Sequence, residues 1–217
     1  MVGLAVHHIQ LAVTDGLIAL SKFQKVGFRL FAQSTYANVR QWALRSGSAR
    51  FVISEIKNKE CDVASESREI KSLSHLPVIL PSFMCPKLIW ESTSQVDTVF
   101  NVAFEPVNIE KTLKVASENG AEVLHELSTI SDGDVGSVQF AVIKSCLGNV
   151  IHTLIDSSQY KGVFLPGFTS ASDKDTNTSC VTHFDHITFA CHEGTMKDVM
   201  GWYEQCLGMK RLFINRK

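Results

Sequence analysis

The hydrophobic pattern changes from a strand period to a helical period and back, and it does so in the same order in two parts of the chain. Residues 8–13 (HIQLAV) are typical of a short strand, and Asp15 then stands where a helix N-cap is expected. Apolar residues follow at helical spacing: Leu17, Leu20 and Phe23. Gly27 fits the position after the helix, where the left-handed conformation favours glycine.

Three short strands are predicted after this helix, at residues 28–32, 40–45 and 50–55. A Ser-Gly turn separates the last two, so they are expected to form a hairpin. The pattern therefore predicts a β-α-β-β-β unit over residues 4–56.

The same order of elements begins again at residues 99–105 (VFNVAFE). Asn108 is the predicted cap of a second helix, and Gly120 is its predicted end. Strands are expected at 122–127, 137–143 and 150–155. These elements predict a second unit over residues 96–156.

The spacing of matching residues supports a structural repeat. The separation of His8 from Gly27 and that of Asn101 from Gly120 are both 19 residues. One β-α-β-β-β unit cannot bury its own sheet, whereas two units side by side form a half-open barrel that can. We therefore predict an α+β fold of paired units, with residues 4–168 as a first domain.

The pattern starts a third time at residues 184–191 (FDHITFAC). One face of the following helix is apolar: Met196, Val199, Met200 and Tyr203. Gly208 is the predicted end of this helix, and 209–214 is the next predicted strand. Residues 182–217 are thus expected to be the opening of a second domain. Because the sheet of this third unit would have an open edge, we expect residues 184–217 to be poorly packed or completed by a partner.

Two stretches do not fit the repeat. Residues 57–95 are far longer than an ordinary connection of about four to six residues, and are predicted to be an insertion. Residues 169–181 are polar and low in apolar side chains, which is typical of a linker between domains.

Composition excludes several classes of function. The net charge is −1 and no extended basic cluster occurs, which argues against nucleic-acid binding. No run of eighteen apolar residues is present, so no membrane span is predicted. The six cysteines form no CxxC pair and no secretory signal precedes them, so we expect reduced thiols in an intracellular protein.

His186 is the main candidate for chemistry. In a strand it would share one face with Phe184 and Thr188. A neutral imidazole in a sheet is a common ligand of iron, zinc or copper. A core or half-buried histidine bonded to the backbone is the alternative, and the local pattern by itself favours that alternative.

The repeated unit resembles the vicinal oxygen chelate fold, and two motifs resemble the 4-hydroxyphenylpyruvate dioxygenase family. Residues 152–168 (HTLIDSSQYKGVFLPGF), followed after a polar stretch by FDHITFAC, are similar to the junction between the two domains of those enzymes. Residues 41–55 (QWALRSGSARFVISE) and 202–209 (WYEQCLGM) are closer still to the dioxygenase-like branch of the family.

The resemblance implies a non-haem iron enzyme. It implies Fe²⁺ as cofactor, with an aromatic 2-oxoacid and O₂ as substrates. 4-Hydroxyphenylpyruvate would be converted either to homogentisate in tyrosine breakdown or to 4-hydroxymandelate for the head group of coenzyme Q. It also implies a location in the mitochondrion, with the cytoplasm as the alternative because no presequence is readable, and it is compatible with a homodimer.

By the resemblance, His186 is the first of three iron ligands. The other histidine and the carboxylate of the 2-His-1-carboxylate set would lie beyond Lys217. The 217-residue chain is therefore expected to have no dioxygenase turnover alone. An alternative or incorrectly assembled transcript would account for both the insertion and the early end.

Two other functions are compatible with the sequence. One is a non-catalytic scaffold or dimerisation module. The other is a glyoxalase-like metalloenzyme that uses the first domain, where the repeat maps the ligand positions onto three residues: His8, Asn101 and Leu154. Asparagine is a poor ligand and leucine is none, while Glu55 and Asp156 are nearby carboxylates. His7 is expected to face away from His8, because neighbours in a strand alternate.

Overall fold

A computed structural model describes residues 4–36, 39–56, 97–171 and 180–211. The predicted insertion at 57–95 lies outside the described residues. So do residues 172–179 of the predicted linker and the end of the predicted strand at 209–214.

Two β-α-β-β-β units follow each other, as predicted. The first unit has five elements: β1 (Leu4–Val13), α1 (Gly16–Lys25), β2 (Arg29–Tyr36), β3 (Val39–Ser46) and β4 (Ala49–Ile56). The second has the same order, with a short 3₁₀ turn before its middle strand: β5 (Thr98–Pro106), α2 (Ile109–Glu118), β6 (Val123–Ser131), the turn Gly133–Val135, β7 (Ser137–Lys144) and β8 (Ile151–Asp156). Two elements come after the units: β9 (Thr169–Ser170) and α3 (Met196–Leu207). Residues 4–168 are called the N-terminal pair below.

The predicted helix ends are confirmed in both units. The Asp15 carboxylate accepts from the backbone N–H three residues on at 2.9 Å, and the Asn108 side chain does the same at 2.7 Å. Gly27 and Gly120 follow the C-caps with φ of 95° and 83°. Thr195 precedes α3, but its hydroxyl donates to the carbonyl of His192 rather than capping the helix.

The described strands form one sheet in the order β6-β7-β8-β5-β1-β4-β3-β2-β9. The two units meet where β1 and β5 pair antiparallel, and within each unit the first and last strands pair parallel. The sheet is not closed, so it is the predicted half-open barrel of an α+β fold.

The helices cover one face of the sheet, and a separate hydrophobic cluster fills the other. α1 packs over the first unit, and α2 and α3 pack over the second. On the opposite face, side chains from both units surround three residues of the FLPGF motif: Phe164, Leu165 and Phe168. All three are less than 8% exposed, so this motif seals the concave side of the barrel.

The predicted strand at 184–191 is wrong. These residues have no regular secondary structure and make no sheet ladder. They cross the face of the sheet near Ile9 and Phe51, and not along an edge. β1 and β5 are each already paired on both sides, so the centre of the sheet offers no free edge to a further strand.

For the described part of residues 184–217, the expectation of poor packing holds over 184–200, where no residue is buried, but not for the end of α3. α3 packs against α2, and Tyr203, Cys206 and Leu207 are buried in the same cluster. Ile187 and Phe189, in the segment 184–191, pack on that cluster as well. The C-terminal half of α3 is therefore covered by the second unit, whereas Met196 at its start is 56% exposed.

β9 lies at the start of the predicted linker 169–181, where Thr169 and Ser170 pair with β2. The domain boundary itself stays a prediction. No helix among the described residues is long and apolar enough to cross a membrane.

Candidate functional site

His186 lies in the segment 184–191, before α3, and its side chain is 74% exposed. Its Nδ1 atom is 2.7 Å from the Asp185 carboxylate, which is also exposed. The hydrogen bond from His186, and then its charge, lower the pKa of Asp185. A neutral imidazole that donates Nδ1–H to this carboxylate keeps a lone pair on Nε2, the arrangement that orients histidines toward metals.

The described residues do not complete an iron site around His186. In the four described ranges, no group of three or more His, Cys, Asp and Glu side chains could hold a metal ion. A facial iron site needs two imidazoles and a carboxylate, and Asp185 is already bonded to the His186 ring. The described residues therefore provide His186 as a single candidate ligand and not a complete iron site.

The interior of the N-terminal pair holds a polar cluster in place of a metal site. The Asn101 amide donates to the Thr153 hydroxyl at 2.9 Å and to Gln10 Oε1 at 3.3 Å. Its oxygen accepts from the Thr153 backbone N–H at 3.1 Å. Leu154 packs with the helices on the other face. Leu154 and Asn101 therefore lie on opposite faces of the sheet, and the structure does not bring these two mapped positions together.

The cluster continues across the first unit. The amides of Gln10 and Gln41 both donate to the Ser54 hydroxyl, at 2.9 and 3.1 Å. The five members are fully or almost fully buried: Gln10, Gln41, Ser54, Asn101 and Thr153. Buried polar groups are costly unless paired, and here they pair with each other. Sequence reasoning missed the two glutamines, although polar residues inside apolar strands were the available signal.

Glu55 and Asp156, the two carboxylates near the mapped ligand positions, form other bonds at the ends of their strands. Glu55 Oε1 accepts from the backbone N–H of Gly16 at 3.1 Å, and its other oxygen is 3.9 Å from Arg40. Asp156 accepts from the backbone N–H of Ser158 at 2.9 Å. Neither is bonded to His8.

His7 and His8 do not face away from each other, contrary to expectation. A bulge shifts the β1–β5 register between Val6 and His8, and the two Nδ1 atoms are 2.7 Å apart. One ring must donate its Nδ1–H and the other must accept it, so the accepting ring is neutral. His8 Nε2 is buried without a partner.

Burial keeps this histidine pair uncharged. Desolvation, followed by the nearby Arg50 charge, lowers the pKa of His7 to about 3. Desolvation, followed by His7 and then Arg50, holds the pKa of His8 well below its ordinary value. Both rings also contact Phe164 of the FLPGF motif, with centroids 5.7 and 5.6 Å away.

A second buried histidine joins the N-terminal pair to α3. His152 Nδ1 is 3.1 Å from the carbonyl of Val102 and therefore donates to it. Its Nε2 accepts from the Tyr203 hydroxyl at 3.0 Å, and that hydroxyl is 3.1 Å from Ser145 Oγ. Burial lowers the pKa of His152 to about 4 and raises that of Tyr203 to about 12. This network was not predicted from the sequence, because the partners are about fifty residues apart.

No family model matches the chain. It is 26% identical over 206 residues to the 4-hydroxyphenylpyruvate dioxygenase-like protein of Rattus norvegicus, covering 94% of this chain and 48% of that protein. It is 35% identical over 121 residues to the 4-hydroxyphenylpyruvate dioxygenase of Neurospora crassa, covering 54% of this chain and 29% of that enzyme.

Among solved structures, a mutant of 4-hydroxymandelate synthase from Streptomyces coelicolor superposes with a TM-score of 0.68 at 19% identity. The match covers 96% of this chain and 54% of that one. The fold is therefore the vicinal oxygen chelate fold, as predicted.

Within that fold, the resemblance to the 4-hydroxyphenylpyruvate dioxygenase family is confirmed by the relatives on which it rests. The chain spans about half the length of the dioxygenase-like relative, and less of the Neurospora enzyme.

Proposed function

We propose that this chain supplies the N-terminal domain and the first iron ligand of an Fe²⁺-dependent dioxygenase that acts on 4-hydroxyphenylpyruvate. The observation that supports the proposal is the extent of the similarity to the dioxygenase-like protein. An alignment that covers 94% of 217 residues must include residue 186, so the likeness extends through His186 and into α3.

In this proposal His186 holds the iron through Nε2, and Asp185 fixes the ring orientation through Nδ1. The bound metal would activate oxygen for oxidation of the 2-oxoacid. The remaining donors and the contacts to the substrate are assigned to a longer protein, since no group of three possible metal ligands occurs among the described residues. Homogentisate and 4-hydroxymandelate stay alternative products.

The test begins with the intact mass of the native protein, captured with an antibody against the N-terminal pair. We expect a species well above 24.0 kDa whose oxygen consumption depends on Fe²⁺ and 4-hydroxyphenylpyruvate. Mass spectrometry of the product then distinguishes homogentisate from 4-hydroxymandelate. The 217-residue chain alone should consume no oxygen under the same conditions. Turnover by that short chain would contradict the proposal.

His186→Ala in the long protein should abolish both iron retention and turnover. His183→Ala is the matched control, because that ring is also exposed, lies in the same segment and is bonded to Thr182. Equal iron content in the His186→Ala and control proteins would exclude His186 as a ligand.

A scaffold role is the second candidate, and the closed polar cluster of the N-terminal pair favours it. The side chains that line the interior already satisfy each other, which suits a structural domain. A native species of the short mass that retains no iron and forms a stable dimer would support this role. The mitochondrial location and the homodimer belong to the proposal as well, and fractionation and light scattering test them.

A further inference from the structure

A cleft of about 240 Å³ opens where the β3–β4 hairpin, the bulge of β1 and the loop after β8 meet. We call it the arginine cleft. Its polar lining comes from five side chains: His7, Arg45, Arg50, Ser157 and Tyr160. It lies on the N-terminal pair and contains neither His186 nor any residue of α3.

Two guanidinium groups concentrate positive charge at this cleft. Arg45 and Arg50 are direct cross-strand partners in the β3–β4 ladder. Like charges directly opposite each other on neighbouring strands are destabilising. Within the described part of the chain, no carboxylate forms an ion pair with Arg50; its Nη1 is instead 3.5 Å from Nε2 of His7.

Two carboxylates are bonded to side chains of the cleft lining. Asp132 accepts from the Tyr160 hydroxyl at 2.8 Å, and Glu105 accepts from the Ser157 hydroxyl at 3.4 Å. Neither acid lines the cleft. The lining is therefore cationic, and it does not suit a metal ion.

The floor and one side of the cleft are held in place. His7 is only 2% exposed and its ring stacks against Phe164. The Arg45 guanidinium lies 4.9 Å above the ring of Phe31. The hairpin itself is fixed, because the backbone N–H of Ser48 donates to the Thr182 carbonyl at 2.7 Å. The two guanidinium groups are thus presented on a preformed scaffold.

We propose that the arginine cleft binds a small oxyanion, a carboxylate or a phosphate group, with Arg50 as the principal anchor and Arg45 as the second. A guanidinium group donates two parallel hydrogen bonds to either group. The volume of the cleft, about 240 Å³, accommodates a small molecule. The proposal is independent of iron chemistry.

The test is isothermal titration of the full 217-residue chain with inorganic phosphate and, separately, with acetate, at ionic strength held constant with chloride. Saturable binding of either anion in the millimolar range or tighter is expected, and the tighter anion identifies the class of ligand. Arg50→Gln should weaken binding by roughly tenfold or more, as loss of a charge-assisted bidentate contact predicts. Lys22→Gln removes the same charge from the exposed face of α1 and should leave the affinity unchanged.

Two results would overturn the proposal: no saturable binding of phosphate or acetate, or equal affinities in the wild-type and Arg50→Gln chains. If Arg50→Gln fails to fold, Arg50→Lys replaces it, since lysine keeps the charge but loses the second parallel donor. Binding roughly threefold to tenfold weaker in Arg50→Lys is then expected, and an unchanged affinity refutes the role of Arg50.

Discussion

The interior of the N-terminal pair and the segment before α3 present their histidines in opposite settings. His8 and His152 are at most 1% exposed, and His152 is bonded through both ring nitrogens. His186 has an exposed ring with a carboxylate on one nitrogen only. A metal ligand needs an accessible lone pair. The exposed ring of His186 offers one, whereas the buried rings of His8 and His152 do not.

The same comparison explains why a shared fold does not require a shared activity. The concave side of the N-terminal pair is filled by Phe164, Leu165 and Phe168, and its polar side chains bond each other. A substrate has no access to that interior in the described structure. The N-terminal pair is packed through its interior, and the candidate chemistry lies outside that interior.

The largest expected effect comes from opening the sealed interior. Phe164→Ala should destabilise the chain by about 3–5 kcal/mol, because the ring is 7% exposed and contacts both buried histidines and Phe31. Denaturant unfolding measures the change. Val163→Ala is the matched control, since Val163 is 40% exposed and should cost well under about 1 kcal/mol. A loss as small as that of the control would show that the motif does not seal the barrel.

Lowering the pH should reduce the stability of the folded chain through the buried His152. The native pKa of His152 is about 4, below the ordinary value of 6.5, so the unfolded chain binds more protons between these pH values. The stability that neutral His152 provides is present above pH 6.5 and is lost as the pH falls toward 4.

The expected loss from His152 between pH 7 and pH 5 is about 2 kcal/mol. His152→Gln should remove that share of the pH dependence, whereas His192→Gln, at an exposed position, should leave it intact. Unfolding curves at the two pH values provide the measurement. Identical pH slopes in His152→Gln and the wild type would show that His152 is not held neutral.

The smallest effect concerns the attachment of α3 to the second unit. Tyr203→Phe removes the hydroxyl that donates to His152 and should cost about 1–2 kcal/mol. Faster hydrogen exchange of the α3 amides is the expected readout. Tyr160→Phe removes a hydroxyl bonded to Asp132 at a distant site, so it should leave exchange in α3 unchanged. Equal exchange in both variants would mean that apolar packing alone holds α3.

Local features of the fold were predictable because they depend on neighbours in the sequence. Asp15 and Asn108 bond N–H groups three residues away, and Gly27 and Gly120 take a backbone conformation that favours glycine. The strand at 184–191 was predicted for the same local reasons and did not form, because a strand also needs a free sheet edge.

The candidate site was predictable only in part. His186 was found as a histidine within a family motif, but neither its exposure nor its pairing with Asp185 could be read from the pattern. The meeting of His7 and His8 depends on a bulge in the β1–β5 ladder. Bulges arise from pairing with a strand about ninety residues away, so the alternation rule gave the wrong face.

The sequence by itself determined the order of elements, their caps and the resemblance to a dioxygenase family, since these follow from short-range periodicity and from motifs. The tertiary structure alone decided which polar groups meet. Gln10 bonds Ser54, Asn101 bonds Thr153, and Arg45 lies opposite Arg50, each across the register of two strands. Contacts across a sheet depend on register and twist, which no single segment determines. Register therefore decides which polar groups are paired in the interior and which line the cleft.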